Sequence, residues 1–386
     1  MNERLQLMSE SINVKLSDRI REMAEKGKVI TRVQTGDPDF DTPAFICNAA
    51  SKSMTEGNTH YCASNGQTKL RLAISEKLKL KNKFTPKSSQ DILVTHGAVH
   101  GVYLALQAII NPGDEVVLIS PYWMPYHSCV TLTGGTPVIV TTTISNGFNI
   151  EIEKLTAAVT NKTKAIIINS PNNPTGCVYS KKTLRLIGEL SIKHDLYVIS
   201  DEVYEDLLYQ QKHYSIQSIF KDYNKIISIF SFSKSYAMTG WRIGYMHASE
   251  AIILQANKLS QYITTSINSF VQSGAIAALV DPKATIELSK MQNAFIQRRT
   301  MIIEMIQDTW LESSIFIPQG AFYLFIDISR FSLDSMSFVE KLIIDHQVAF
   351  TPGIAFGKEN EGFIRMTFAC DEKSIKKALT VLIGLT

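Results

Sequence analysis

The dominant pattern along the chain is a series of short, unbroken apolar runs, each closed by small or turn-forming residues, at 93–95, 115–120, 165–169, 196–200 and 226–230. Runs of that length without polar alternation predict strands buried on both faces, as in a parallel sheet covered by helices. Between them apolar residues recur every three or four positions, predicting helices at 99–110, 181–194 and across 251–280. Ile12, Leu16, Ile20 and Met23 predict an N-terminal helix stopped by Gly27, and Leu70, Ala73, Ile74 and Leu78 predict another. Beyond a long amphipathic helix near 283–310 the period changes. Residues 316–328 read as strands interrupted at Gln319-Gly320-Ala321, 363–369 alternates like a half-buried strand, and Ile375, Leu379 and Leu382 mark a terminal helix. Strand and helix alternate through most of the chain, so the expected class is α/β.

Composition narrows the setting. A chain of 386 residues is long for a single core, so two domains are expected, and 45% hydrophobic with 19% charged residues is ordinary for a soluble globular protein. The net charge of +3, without a run of five basic residues, does not suggest nucleic-acid binding. Cys47, Cys62, Cys129, Cys177 and Cys370 are scattered and odd in number, which suits free thiols better than a disulfide frame or a zinc site. The N-terminal stretch has no apolar core of signal-peptide length and no segment is long enough to span a bilayer, so a cytoplasmic protein is expected.

The chemistry gathers at the ends of the apolar runs. The run at 226–230 leads into Ser231-Phe232-Ser233-Lys234, and Arg242 follows shortly after. Lysine condenses with an aldehyde when its amine is partly desolvated, and arginine offers a fork of donors suited to a phosphate. Pyridoxal 5′-phosphate combines both groups. Alone, Lys234 and Arg242 would read as solvated loop cations. The run at 196–200 delivers Asp201, which is costly to bury unless a cation such as a protonated pyridine nitrogen pairs with it, or else serves as a helix cap. The run at 165–169 enters Ser170-Pro171-Asn172-Asn173-Pro174-Thr175-Gly176, a fixed turn that presents amides. Asn173 and Asp201 are 28 residues apart and Asp201 and Lys234 are 33 apart, about one strand, crossover and strand each, so three parallel strands can bring their tips to one crevice. Gly97 and Ala98 begin a helix whose amides make an anion site, and Trp123 at a strand tip can stack on a planar ring or pack in the core. Arg365 sits among apolar residues and requires an anion, either a substrate carboxylate or a structural acid. His96 and His100 lack a spaced partner and read as structural, so no metal is expected.

Taken together, Ser-Phe-Ser-Lys with the downstream Trp-Arg-Ile-Gly, Asn-Pro-Thr-Gly, and Asp-Glu-Val-Tyr resemble the motifs of class I/II aminotransferases, the fold type I pyridoxal-phosphate enzymes, over about residues 36–382. The resemblance implies a mainly parallel seven-stranded sheet in a large cofactor domain at 43–282, with a smaller α+β domain from 283–386 joined by an N-terminal helix and arm at 1–42. It implies that Lys234 holds the cofactor and moves protons. Asp201 would meet the ring nitrogen, Tyr204 and Asn173 the phenolic oxygen, and Trp123 a face of the ring. Gly97, Ala98, Val99, Ser231, Ser233 and Arg242 would hold the phosphate. Gly36, Trp123, Asn173 and Arg365 would contact the substrate. Tyr61, five residues before Gly66, would reach the neighbouring active site in a homodimer.

The implied reaction moves an amino group from an L-amino acid to an oxo acid, with 2-oxoglutarate the expected acceptor, by a ping-pong mechanism. The motifs are nearest those of bacterial aspartate aminotransferases, but that branch commonly carries a lysine where this chain has Val99. A neutral or aromatic donor is therefore an open reading. A carbon-sulfur β-lyase or decarboxylase using the same cofactor is the alternative, and a non-catalytic sensor would need a further DNA-binding domain. No membrane or nucleic-acid partner is expected.

Overall fold

A computed structural model describes residues 3–6, 8 and 10–385. Residues 1, 2, 7 and 9 of the expected N-terminal arm, and residue 386, lie outside the described residues. The strands are β1 (Thr31–Arg32), β2 (Ile92–Thr95), β3 (Glu115–Ser120), β4 (Thr136–Thr141), β5 (Thr163–Asn169), β6 (Tyr197–Asp201), β7 (Ile226–Ser231), β8 (Gly244–His247), β9 (Tyr323–Asp327), β10 (Val348–Ala349), β11 (Thr351–Pro352) and β12 (Phe363–Thr367).

The expected sheet is present. Its seven strands run in the order β2-β8-β7-β6-β5-β3-β4, and β8 alone opposes its neighbours. Successive residues face opposite cores, which explains the unbroken apolar runs. Val116, Leu118, Ile167 and Ile199 point to one core, which the helices Gly97–Ile109 and Glu250–Ile263 also line. Val117, Ile119, Ile166 and Val198 point to the other, where Leu184, Ile187 and Leu190 of the helix Lys181–Lys193 close over them. Asn169 is registered against Asp201 and Asp201 against Ile229, so the carboxyl ends of β5, β6 and β7 lie side by side. A crevice outside such ends is where open α/β sheets place ligands.

A second core joins Leu16 and Ile20 of the helix Ile12–Glu25 to Phe295, Ile302 and Ile306 of the helix Lys283–Ile306 and to Leu379 and Leu382 near the C-terminus. Its sheet has the order β11-β12-β9, antiparallel throughout. The stretch after the first helix is stitched into it: β1 pairs with β10, and the Thr367 amide donates to the Val33 carbonyl at 2.7 Å.

One expectation is corrected and another is refined. Within 316–328 only β9 is a strand, while Ile315 and Gly320 make isolated bridges. Pro318 has no amide proton to give a ladder, and the amides of Gln319 and Gly320 instead donate to the Gly176 carbonyl at 2.9 and 3.0 Å. The helical stretch 251–280 is two helices, Glu250–Ile263 and Ser269–Val280, broken where Thr265 takes φ 61°. All five cysteines are free thiols. Among the described residues no helix is long and apolar enough to cross a membrane.

Phe295, fully buried, meets Phe40, Phe322 and Phe368 with ring centroids 5.4–6.3 Å away. Phe295→Ala is expected to cost about 3–5 kcal/mol. Urea unfolding monitored by circular dichroism checks this, and a loss below about 1 kcal/mol would contradict such close packing.

Candidate active site

A cavity of about 320 Å³ lies over the tips of β5, β6 and β7, between the two cores. Lys234 reaches it because Ser231 ends β7 in a tight turn: its hydroxyl accepts the Ser233 amide proton at 3.1 Å and donates to the Ser233 hydroxyl at 2.9 Å. The Lys234 amine donates to the Gly36 carbonyl at 2.5 Å. Burial pushes its proton affinity down to about 8, against the opposing pull of Asp37, and the cations of Arg365 and Arg242 add to the fall. A side chain on Gly36 would strike the Tyr323 hydroxyl, so glycine is what lets this backbone come so close.

Asp201, 1% exposed, accepts the Tyr126 hydroxyl at 2.6 Å on one oxygen and the Val203 amide at 3.1 Å on the other. Burial raises its pKa to about 6, although both hydrogen bonds pull the other way. Among the described residues no cation forms an ion pair with it, so it is a charge prepared for a partner. Tyr204 is buried three residues on, its hydroxyl 2.9 Å from that of Tyr323. Asn173 is fixed by the Asn169 side chain, which accepts its backbone amide proton at 2.9 Å, while its own side-chain Oδ1 accepts from Arg365 at 3.0 Å.

Arg365 arrives from β12, on the far side of the cavity, and is 4% exposed. It donates to the Gln34 carbonyl at 2.6 Å and lies over the Tyr323 ring, 4.4 Å from the centroid, while its Nε has no partner. No carboxylate pairs with it among the described residues. A buried guanidinium with a spare donor and no anion is the arrangement expected of a carboxylate receptor rather than a structural salt bridge.

Ala98, Val99, Trp123, Ser231, Ser233 and Arg242 also line the cavity. Gly97 lies behind them. Its φ is +73°, and a Cβ there would run into the Arg242 guanidinium. Tyr61 is the predicted residue the structure does not bring here: it is 86% exposed on the surface. Tyr126, Asn169, Tyr323, Gln34, Ser17 and Thr239 are cavity residues that sequence reasoning missed. A signal existed for Tyr126, three residues after Trp123 at a helix start. Tyr323, Gln34 and Ser17 come from the second core and carry no local signal.

A partly buried amine of lowered basicity, a buried acid lacking a cation and a buried guanidinium lacking an anion define an enzyme of amine and carbonyl chemistry acting on a carboxylated substrate. A family model described as aminotransferase class I and II matches residues 28–382, and the chain belongs to that family. It is 38% identical to an aspartate aminotransferase of Pyrococcus abyssi, over 98% of this chain and 96% of that one. An aromatic-amino-acid aminotransferase of Thermococcus litoralis is 34% identical over 98% of this chain and 96% of its own length. A crystal structure of aspartate aminotransferase from Thermus thermophilus with maleate superposes with a TM-score of 0.94 at 33% identity, covering 99% of this chain and 98% of that one. The protein is thus an aminotransferase, of a family whose members depend on pyridoxal phosphate.

The sign of the Asp201 shift can be tested. An acid whose pKa rises from about 3.8 to about 6 on folding costs stability progressively as pH climbs through that window, and the cost is constant above it. Asp201→Asn in the cofactor-free protein is therefore expected to gain on wild type by up to about 2–3 kcal/mol between pH 4 and pH 6.5, then no further. Denaturant midpoints across pH measure the difference; a gap that does not widen contradicts the uncompensated charge.

Proposed function

We propose that this aminotransferase holds pyridoxal 5′-phosphate in the cavity and takes a non-acidic L-amino acid, neutral or aromatic, as donor. The observation that carries the reading is Arg365, a buried cation without an anion, opposite Lys234 across one cavity. The other residues fit the same group. Arg242, Ser231, Ser233 and the amides of Gly97, Ala98 and Val99 would take the phosphate. The tight approach of Arg242 to Gly97, which leaves no room for a Cβ, suits a small anion held by both. Asp201 would face the ring nitrogen, Tyr204 and Asn173 the phenolic oxygen, and Trp123 a face of the ring. When bound, the cofactor supplies an aldehyde to exchange for the amino group and a ring that accepts electrons from the substrate α-carbon.

The chain's own residues then have separable tasks. Arg365, steadied by Gln34 and Asn173, would bind the substrate carboxylate and so orient the α-carbon in the cavity. Lys234, with a pKa near 8, has a usable fraction of neutral amine at neutral pH, so it can take the α-proton and return it as the acid. Asp201 would supply the negative charge that keeps a ring nitrogen protonated. Gly36 and Tyr323 bound the substrate on the side of the second core.

Within one subunit, the cations that line the cavity favour a non-acidic donor. Lys234, Arg242 and Arg365 are the cations that line the cavity, each already assigned, and Val99 offers apolar surface. Lys358 lines a second cavity of about 760 Å³ that shares Trp123 as a wall. The reading also includes a homodimer. Tyr61 is 86% exposed and Tyr262 87%, and Gln261 donates to Ser64 at 3.0 Å, which sets both aromatics in one surface region. It further treats 1–42 with 283–386 as a small domain against 43–282, supported by the core that unites Leu16, Ile20 and Val33 with the C-terminal helices.

The deciding experiment titrates cofactor-loaded protein with single L-amino acids, following absorbance and identifying the oxo acid released. Phenylalanine, tyrosine or a neutral donor is expected to transfer its amino group at about tenfold lower concentration than aspartate, or better, and Val99→Lys is expected to narrow the gap. A wild-type preference for aspartate sinks the donor assignment. Release of pyruvate with ammonia, or of carbon dioxide, without the matching oxo acid sinks the transfer reading. Because 2-oxoglutarate carries a second carboxylate, the return half-reaction is compared with a monocarboxylic oxo acid. Sedimentation is expected to give twice the 43.1 kDa chain mass, and Tyr61→Phe to weaken cofactor retention without changing that mass.

A further inference from the structure

Asp201-Glu202-Val203-Tyr204-Glu205-Asp206 is dense in carboxylates, and the proposed chemistry uses only Asp201. The other acids are buried as well, with side-chain exposures of 1% for Glu202, 7% for Glu205 and 8% for Asp206. Buried acids require partners. Glu202 accepts from the hydroxyls of Ser200 and Ser215 at 3.0 and 2.9 Å and lies 2.8 Å from His213. Glu205 pairs with Lys77 and accepts from Asn82 at 2.6 Å. Asp206 pairs with Lys81 and accepts the Ser235 hydroxyl at 2.7 Å.

Both lysines come from one local feature. The helix Thr68–Lys77 continues into a π-turn, Leu78–Asn82, that Lys83 closes with φ 64°. Lys77 ends the helix and Lys81 lies in the wider π-turn that follows, and the two meet adjacent acids. Of these pairs, that of Asp206 alone reaches the turn carrying Lys234. Ser235, 4% exposed, is the next residue after Lys234. Its side chain is anchored only by Asp206 among the hydrogen bonds of the described residues, while backbone bonds from Tyr236 to Phe232 and from Met238 to Ser233 hold the main chain on either side.

We propose that Lys81 and Asp206 are positioning residues for amino transfer: Asp206 fastens the lysine turn through Ser235, and Lys81 pairs with the buried carboxylate so that it stays ionised and in place. The inference rests on the reading of Lys234 as the amine that holds the cofactor. Around Lys234 the charges are Asp37 and Asp201 on one side of the balance and Arg365 and Arg242 on the other. Around Asp206 they are Lys81, Lys77 and Glu205, with the hydroxyls of Tyr236 and Tyr245 nearby. Burial alone would push the Asp206 carboxyl up, but Lys81 and Lys77 outweigh it and hold the group below its usual range, so it stays ionised through neutral pH.

Ser235→Ala and Asp206→Ala each remove the anchor and are expected to slow single-turnover amino transfer about tenfold, with no further loss in the double variant. The pH midpoint of the absorbance change of pyridoxal-phosphate-loaded protein follows the charges around Lys234 and is expected to stay at its wild-type value in all of them. Lys81→Met strips the carboxylate of its nearest cation and is expected to slow transfer as well, while Lys81→Arg, which keeps the charge, transfers at the wild-type rate.

Melting curves of each variant report folding, and Lys81→Gln replaces the methionine variant should that one fail to fold. A Lys81→Met or Asp206→Ala protein that transfers at the wild-type rate, or a double variant slower than either single one, overturns the anchoring. A Ser235→Ala protein that transfers at the wild-type rate overturns the positioning. A wild type without any spectral midpoint overturns instead the assignment of Lys234, on which the inference rests.

Discussion

The lateral register of three parallel strands governs this molecule. Asn169 stands beside Asp201, and Asp201 beside Ile229 two residues before Ser231. The amide turn, the acid and the lysine turn are therefore hung from neighbouring points on one edge. Strand pairing in a buried sheet resists slippage, since a one-residue shift would turn every side chain to the opposite core. Here the two cores are filled by alternating residues of the same strands, Val116 and Leu118 on one side against Val117 and Ile119 on the other. The precision of the site is thus borrowed from packing on both faces of the sheet.

Against that fixed edge works a second body of structure with a different logic. Arg365, Tyr323 and Gln34 reach the cavity from strands and segments that pack around Phe295 and Leu379. Under the proposed assignment, the sheet carries the residues that would meet the cofactor and the second core those that would meet the substrate. Tyr204 bridges the two: it follows β6, belongs to the second core, and shares a hydrogen bond with Tyr323. Binding chemistry that spans two cores couples recognition of the carboxylate to how those cores meet.

What could be read from the sequence was what is local. The tips of β5, β6 and β7 are each an apolar run followed by a turn, and the polar residue is contiguous with both, so the placement of Asn173, Asp201 and Lys234 at one edge was legible. The antiparallel β8 did not. It is four residues long and begins at Gly244, where any Cβ would meet the Phe230 carbonyl, so close backbone approach rather than apolar patterning defines it. Tyr126 and Tyr323 were hidden for another reason. Each matters through a partner 75 or 119 residues away, Asp201 and Tyr204, and no window of sequence contains both ends of such a contact. The stretch 316–328 misled because apolar residues there serve a loop docked on Gly176, a tertiary use that mimics a strand's composition.

The isolated carboxylate of Asp201 has a bearing on the protein's life in the cell. A buried acid awaiting a cation makes the empty chain less stable than its packing alone would allow, and a ligand that supplies the cation stabilises the filled form through linkage. Under the proposed cofactor assignment, unfolded copies would be more frequent when the vitamin-derived ligand is scarce, and proteases act on unfolded copies.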